Sequence, residues 1–399
     1  MDISFHYFAV KTVARAAGYD EQKAQRIAEF SQFIDDFNWY KCRCAGNVPD
    51  YIKAPYLDIV VNKIKDTTLI NPVTTGFSDW FDMATLILDR SQRFTVSPFH
   101  FIPQDEPSVR AGDRRTVPAT IDDGSYISTE LRELQNKILE GGISESDSLM
   151  KMGMLLHTFA DTYAHQLFTG FLDKVNSVKL TIVTDNVTGE DVTEKYHFWV
   201  EQWIAKAENL IKKKLPTIGH MAIAHIPDLS HLSFEMEYQR YDGTVCNHGR
   251  SNAVAFVTAC RQIYDYMRGI LDDEHPADMS WDELSGKLAD GFLIDASKEL
   301  DENETAAVQK LTPHWSSIFP NYNFSYNSER IKSGFVTSVS DDVRTVTIDE
   351  VEQSFITENY SEDFYKFNYF ADLHLINLYG AHPRKLLPID NELAQTADL

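Results

Sequence analysis

Apolar side chains recur every three or four positions along much of the chain, and that period predicts helices. Phe5, Phe8, Val10, Val13 and Ala14 mark one over residues 3–17, stopped by Gly18. Asp20 is placed to cap a second, which runs to about Phe37 through Ala24, Ile27, Ala28, Phe30, Phe33 and Ile34. With a tight turn between them the two form an αα-hairpin. Further helices are expected over Thr129–Glu140, over Gly153–Phe171 with Ser144 capping the approach, and over Phe198–Lys213, Asn252–Arg268 and Tyr360–Tyr379. Between Asn47 and Arg90, Pro49, Pro55 and Pro72 interrupt short helical runs such as Leu57–Ile64 and Asp79–Leu88. Alternation of Leu180, Ile182 and Val183 before a Thr-Gly turn predicts a small hairpin inserted at Val178–Tyr196, and Ser333–Thr347 has possible strand content. The fold class expected is therefore mainly α: a multi-helix bundle with one small β-hairpin, dividing into an all-helical domain over 1–270 and a mixed C-terminal extension, 271–399, packed on it.

The stretch GMLLHTFADTYAHQLFTGF, residues 153–171, organises the rest. It sets His157, Asp161 and His165 at i, i+4 and i+8, and each step of four advances only about 40° round a helix, so the three form one stripe. Leu155, Leu156, Phe159, Ala160, Tyr163 and Ala164 surround that stripe. Three titratable groups in apolar surroundings are costly unless something satisfies them. Two imidazoles and a carboxylate are ligands that a borderline cation such as Zn²⁺ takes.

Other candidates arrive from elsewhere. In an antiparallel hairpin the start of the first helix adjoins the end of the second, so Asp2 and His6 lie near Asp35 and Asp36. Prolines bracket Ser97-Pro98-Phe99-His100-Phe101-Ile102-Pro103 and fix a loop that can aim His100 inward; the polar span Gln104–Ser125 reads as surface loop. Residues 218–228 bring His220, His225 and Asp228. On a helix the two histidines would point about 140° apart, so His220 pairs with Asp228, which follows Pro227 in the closing turn, and His225 is held in reserve.

Composition narrows the partners. Sixty acidic residues against 37 basic ones give a net charge of −23, a field that repels nucleic acid and anionic lipid. Bound divalent cations would reverse the sign inside one cleft. Four cysteines, with Cys42 and Cys44 one residue apart, match neither a disulfide scaffold nor a structural-zinc spacing. No apolar run approaches 18 residues and no basic region precedes one at the N-terminus. The expectation is a chain made in the cytoplasm without a transmembrane segment, compatible with signal-less secretion. No glycine-rich phosphate loop and no Gly-x-Ser-x-Gly elbow is present.

In this order, His6, Asp35 or Asp36, His100, His157, Asp161, His165, His220 and Asp228 resemble the metal-ligand series of the zinc-dependent phospholipase C and single-strand-specific nuclease superfamily, all-helical hydrolases with a trinuclear zinc cleft. His157 and Asp161 match its hallmark His-xxx-Asp pair and His165 its later His. The opening Met-Asp-x-x-Phe-His-Tyr and the Ser-Gln-x-x-Asp-Asp of Ser31–Asp36 are similar to a bacterial subgroup. The likeness covers about residues 1–265. It implies two to three zinc ions. His6 and Asp161 would hold one, with the N-terminal backbone or Asp2. Asp35 or Asp36, His100, His157 and Asp161 would hold its bridged neighbour, and His165, His220 and Asp228 the third. Two departures stand out: Met1-Asp2 replaces a processed N-terminal Trp, and Ala224 stands where a His-xxx-Glu pair would end. The activity implied is phosphodiester or phosphomonoester hydrolysis by a metal-bridged hydroxide, with Asp35 or Asp36 as general base and Asp161 as bridge. A phospholipid head group or other small phosphoester ranks ahead of nucleic acid. The competing expectation is a zinc-stabilised binding or toxin component without turnover.

Overall fold

The computed structural model describes residues 1–53, 62–64, 67–76, 91–103, 114–211, 217–272, 274–348 and 351–381. The expected helical run Asp79–Leu88, most of Leu57–Ile64, the first part of the polar loop after Pro103, the Lys-Lys-Lys run at 212–214 and His382 lie outside them. Helix makes up 54% of the structure and strand 16%, in two sheets, so the fold is mixed α/β and the expectation of a mainly α fold with one small hairpin is corrected.

The first predicted helix begins as a wide, π-type turn, Ser4–Ala9, and continues as α1, Val10–Ala17, which ends at Gly18 with φ +115°. Asp20 caps α2, Glu21–Asp36, by accepting from the Lys23 amide. Ser125 caps α3, Tyr126–Leu139, and Ser144 caps α4, Glu145–Ala164, through the Asp147 amide. From Ser148 to Ala164 every residue of α4 is buried, which makes it the central helix. It stops at Ala164, not Phe171: His165 is its C-cap and Leu167 takes φ +75°, so the chain leaves the helix there.

Five strands form one sheet in the order β2-β3-β1-β9-β8. It joins β1 (Arg43–Ala45), β2 (Asn62–Ile64) and β3 (Thr67–Ile70) to a long hairpin of β8 (Val336–Ile348) and β9 (Val351–Tyr360), with Cys44 opposite Thr357 in a parallel pairing. The end of the expected helical run Leu57–Ile64 is thus strand. The inserted hairpin, β4 (Lys179–Asp185) and β5 (Glu190–Asp191), is half of a second sheet. There β4 pairs with β6 (Leu232–Gln239), and β6 pairs with β7 (Val245–Ser251). Leu232, Phe234 and Met236 are buried on one face of β6.

The remaining described α-helices are α5 (Thr193–Ile211), α6 (Asn252–Arg268), α7 (Trp281–Phe292), α8 (Ser297–Glu302), α9 (Glu304–Ile318), α10 (Ser328–Phe335) and α11 (Glu362–Ala381). The largest core joins α1, α3, α4, α6, α7 and α9, with Trp315 fully buried against Phe8 and Phe292. A second, aromatic core sets Phe33 and Phe37 of the N-terminal hairpin against Phe335 and Phe367. All four cysteines are free. No described helix is long and apolar enough to cross a membrane.

Gly153 sets the closest approach between two helices that carry candidate ligands. A Cβ there would stand 2.3 Å from the Ile27 carbonyl and 2.9 Å from the Ser31 amide, so only glycine lets α4 lie this close to α2. Helix propensity alone favours Gly→Ala by about 1 kcal/mol. Here Gly153→Ala is expected to lower stability by about 2 kcal/mol or more, because the overlap is with backbone. Urea unfolding of the variant checks this; a gain in stability would mean that the helices separate freely.

Candidate metal centre

Five segments deliver the candidate side chains to one place. α4 supplies His157 and Asp161, with His165 just beyond its end; the Ser4–Ala9 turn supplies His6; the last turn of α2 supplies Asp35 and Asp36. His100 ends a second π-type helix, Gln92–His100, which carries Pro98 inside it. The expected proline-fixed loop is therefore a wide helical turn, in which a missing N–H and the proline ring are accommodated more easily than in an α-helix. The fifth segment contains only one short 3₁₀ turn, Met221–Ile223, and Ala224 then takes φ 46°. The helical reading of residues 218–228 is corrected accordingly, and both of its histidines reach Asp228. His220 Nε2 lies 3.3 Å and His225 Nδ1 3.4 Å from Asp228 Oδ2.

Backbone carbonyls fix four of the imidazoles. His100 Nε2 donates to Thr75 O at 2.7 Å, His157 Nδ1 to Ser31 O at 2.9 Å, His165 Nδ1 to His100 O at 2.5 Å and His220 Nδ1 to Ala224 O at 2.5 Å. In a neutral imidazole the other nitrogen is then a lone pair. Those second nitrogens all face carboxylates. His100 Nδ1 and His157 Nε2 stand 3.2 and 3.3 Å from Asp161 Oδ2 and each 3.7 Å from Asp35 Oδ1, while His165 Nε2 stands 3.3 Å from Asp228 Oδ1. His157 Nε2 and His100 Nδ1 also face each other at 3.2 Å. His6 Nε2 approaches the other oxygen of Asp161, Oδ1, at 3.1 Å, and its ring stacks on His157 with centroids 3.9 Å apart. Acceptor facing acceptor is repulsive unless a cation or proton lies between, and an imidazole oriented by a carbonyl is the usual arrangement behind a metal ligand.

Ionisation follows the same geometry. Burial would raise the Asp161 carboxyl, but His165, the Met1 ammonium, His157 and His6 outweigh it and hold it well below the usual carboxylate range. Asp228 is likewise low against burial, through His220 and the Met1 ammonium. That ammonium donates to Asp161 Oδ1 and stands 3.4 Å from Asp228 Oδ1; burial lowers its pKa, and the carboxylates reverse this and raise it to about 11. Burial first of all lowers His6 and His220 to about 4 and His157 well below its ordinary value. These three are neutral at pH 7, the form that binds metals. For His100 burial is outweighed by the hydrogen bond to Asp161 and by the charges of Asp35 and Asp161, and its pKa is raised.

Three groups of ligand atoms, each within 4.8 Å of one another, result: His6, Asp35 and His157; His100, His157 and Asp161; His165, His220 and Asp228. The structure thus has His/Asp clusters that could hold metal. Three other candidates fall outside these groups. Asp2 accepts from the Ser4 amide at 2.9 Å and from the Ser4 hydroxyl. Asp36 accepts from Tyr326 at 2.6 Å and from Gln32 at 3.2 Å, while Gln32 also reaches Asp35 at 3.3 Å. His225 is half-exposed at the rim. Asp2, Asp35, Asp36, His100, Asp161, His165, His220, His225 and Asp228 line a cavity of about 1650 Å³ whose described walls also carry Glu201, Asp301, Glu302, Glu304, Glu329 and Lys332.

Some positioning residues escaped the sequence reading. Arg250, at the end of β7, donates to the carbonyls of Tyr163, Ala164 and Pro227, and so ties the end of α4 to the Asp228 loop. Asn252 donates to Ile226 O and Leu229 O on either side of Asp228. A lone Arg on a polar strand carries no local signal of such a role. A fourth cluster, Asp185, His231 and Asp295, also escaped it.

The family model described as "Family of unknown function (DUF6765)" matches residues 1–380, and the chain belongs to that family. No curated protein and no solved structure matches the chain.

The carboxyl of Asp36 is raised to about 7, first by burial and then by Glu304. A group whose folded pKa lies above its unfolded value contributes stability below the unfolded pKa and loses it as pH rises through the folded one. In metal-stripped protein the difference in stability between Asp36→Asn and wild type should therefore shift in favour of the variant from pH 4 to pH 8, by on the order of 1–2 kcal/mol after discounting for partial solvent access. Urea melts across that range measure it, and a flat difference would mean that Asp36 titrates normally.

Proposed function

We propose that this protein is a metal-dependent phosphoesterase, a hydrolase of the zinc phospholipase C and nuclease type acting on a small phosphodiester. One observation carries the reading. The two oxygens of buried Asp161 face different imidazoles, Oδ1 toward His6 and Oδ2 toward His100, His157 and, at 3.6 Å, His165. That is the placement of a carboxylate shared between two cations, and it lies against a large cavity.

The residues fit such ions in kind. Imidazole nitrogen and carboxylate oxygen are the donors that zinc takes, and the lone pairs that face each other across the cluster need positive charge between them. His6, Asp35, His100, His157 and Asp161 would hold a pair of ions and His165, His220 and Asp228 a third. Ions held there supply a water acidified to near-neutral pH and charge to neutralise a phosphoryl oxygen. The chain's own groups do the rest. Asp35, which accepts from Gln32 and stands 3.7 Å from both His100 and His157, is placed to orient that water and take its proton. Its carboxyl is raised well above the ordinary range, first by burial and further by Asp161, the direction that suits a base. Gln32 and Tyr326 tie Asp36 away from the imidazoles, and Asp36 is accordingly not assigned the base role. The acidic walls disfavour a long polyanion, which supports a phospholipid head group or similar small ester over nucleic acid.

Asp161→Asn tests the reading. Elemental analysis of purified wild type should return at least two zinc equivalents, and the variant should lose two of them. Hydrolysis of bis(p-nitrophenyl) phosphate should fall by about 100-fold or more. Wild-type protein with one tightly held ion and no turnover would overturn the hydrolase in favour of a zinc-stabilised binding component. Unchanged metal content in the variant would remove the bridging role.

A further inference from the structure

His231 directly precedes β6 and is 1% exposed, and its Nε2 has no hydrogen-bond partner. A buried imidazole nitrogen left without one is costly and calls for an explanation. Nε2 faces the carboxylate of Asp295. Asp295 Oδ1 lies 3.5 Å away, and Asp185 at the end of β4 completes a set of three ligand atoms within 4.8 Å of one another. Each acid already has one structural task. Asp185 Oδ1 accepts from the amides of Val187 and Thr188, and Asp295 Oδ1 accepts from the amide and hydroxyl of Ser297. Neither task involves His231.

We propose that Asp185, His231 and Asp295 form a divalent-cation site, separate from the central cluster, that takes a zinc-like ion. One imidazole with two carboxylates is a donor set for a borderline transition metal, and the nitrogen argues against calcium or magnesium, which take oxygen alone. Burial lowers the His231 pKa, so the ring is neutral and available as a ligand. The site joins the paired ends of β4 and β6, where Asp185 lies opposite Leu232, to the loop between α7 and α8. That loop runs directly into Ser297, Leu300, Asp301 and Glu302, which line the wall of the central cavity. An ion here would staple that wall to the four-stranded sheet, a structural task with no part in bond breaking. A competing cation stands nearby, since Lys195 Nζ is 3.8 Å from Asp295 Oδ2, but its side chain is 60% exposed and is free to swing away.

The test uses full-length protein stripped with a chelator and titrated with Zn²⁺ alone by calorimetry. Asp295→Asn and Asp185→Asn should each bind one equivalent fewer than wild type and keep the central equivalents, which separates this site from failure of the central reading. Lys195→Met, an exposed change that leaves the core intact, should tighten one class of sites by roughly 1.5- to 5-fold, the range for losing one exposed like charge. In crystals of zinc-loaded protein an anomalous peak at the zinc edge should stand beside His231 Nε2. Equal stoichiometry in wild type and both carboxylate variants, or anomalous peaks at the central clusters alone, would overturn the proposal.

Discussion

The structure turns on one unfavourable juxtaposition, in which imidazole nitrogens that have already given their hydrogens to carbonyls are pressed against carboxylate oxygens. Thr75, Ser31, His100 and Ala224 supply those carbonyls. With their N–H groups committed, the remaining nitrogens of neutral rings can only accept, and so can the ionised Asp161 and Asp228. One proton relieves one contact, and His100, raised by its acidic neighbours, is the ring that carries it most readily. The Met1 ammonium relieves another, between Asp161 and Asp228. Several contacts then remain among His157, His165, His220 and their acids, and they ask for positive charge that the described side chains do not supply.

Packing is what keeps these groups together. α4 is buried along almost its whole length, and at Gly153 its backbone lies against that of α2 with no room for a Cβ. This contact brings the Ser31 carbonyl to His157 and puts the last turn of α2 over the same floor. Behind it, rings of Phe33, Phe37, Phe335 and Phe367 interlock, so the N-terminal hairpin is held by elements from near the end of the chain. Arg250 clamps the other side, joining the end of α4 to the loop of Asp228. Each ligand group is therefore carried on something rigid, which a site built from five segments requires.

The legible parts of this arrangement were the local ones. The caps at Asp20 and Ser144, the hairpin of the first two helices and the His157–Asp161 pair all depend on spacings of three or four residues, which a helix converts directly into neighbours. The pattern failed where a helix was assumed and none formed. Residues 218–228 turn at Ala224 with a positive φ, so the angle between His220 and His225 on a wheel had no bearing on where they point. The choice between Asp35 and Asp36 was also hidden: adjacent residues diverge by about 100°, and which one faces His100 depends on Tyr326, which is 290 residues away and binds Asp36. The inserted hairpin and the strand content of Ser333–Thr347 were legible; other strands of the two sheets were missed for two different reasons. β6 alternates Leu232, Phe234, Met236 and Tyr238 with Ser and Glu and was readable as a strand. β1 is three residues long and exists because β9, some 300 residues later, lies beside it.

A cluster that repels itself has to be held by the free energy of the rest of the molecule, and that links function to stability. Any ion that binds the folded cluster and not the unfolded chain stabilises the fold by RT ln(1 + [L]/Kd), about 4 kcal/mol at a thousandfold excess over Kd. Against a net stability of about 5–15 kcal/mol for a typical fold, one such term is a large share. The two cores around α4 and the N-terminal hairpin therefore serve two ends. They must be strong enough to hold His157 against His100 and Asp161 when no cation separates them, and rigid enough that the distances do not relax. Had the groups been free to move, the acceptors would part and Asp161 would lose the split arrangement in which each oxygen faces a different histidine. The tight approach at Gly153 prevents that relaxation, and a helix pairing set by one missing Cβ thereby underlies the chemistry of a pocket one turn away along α4.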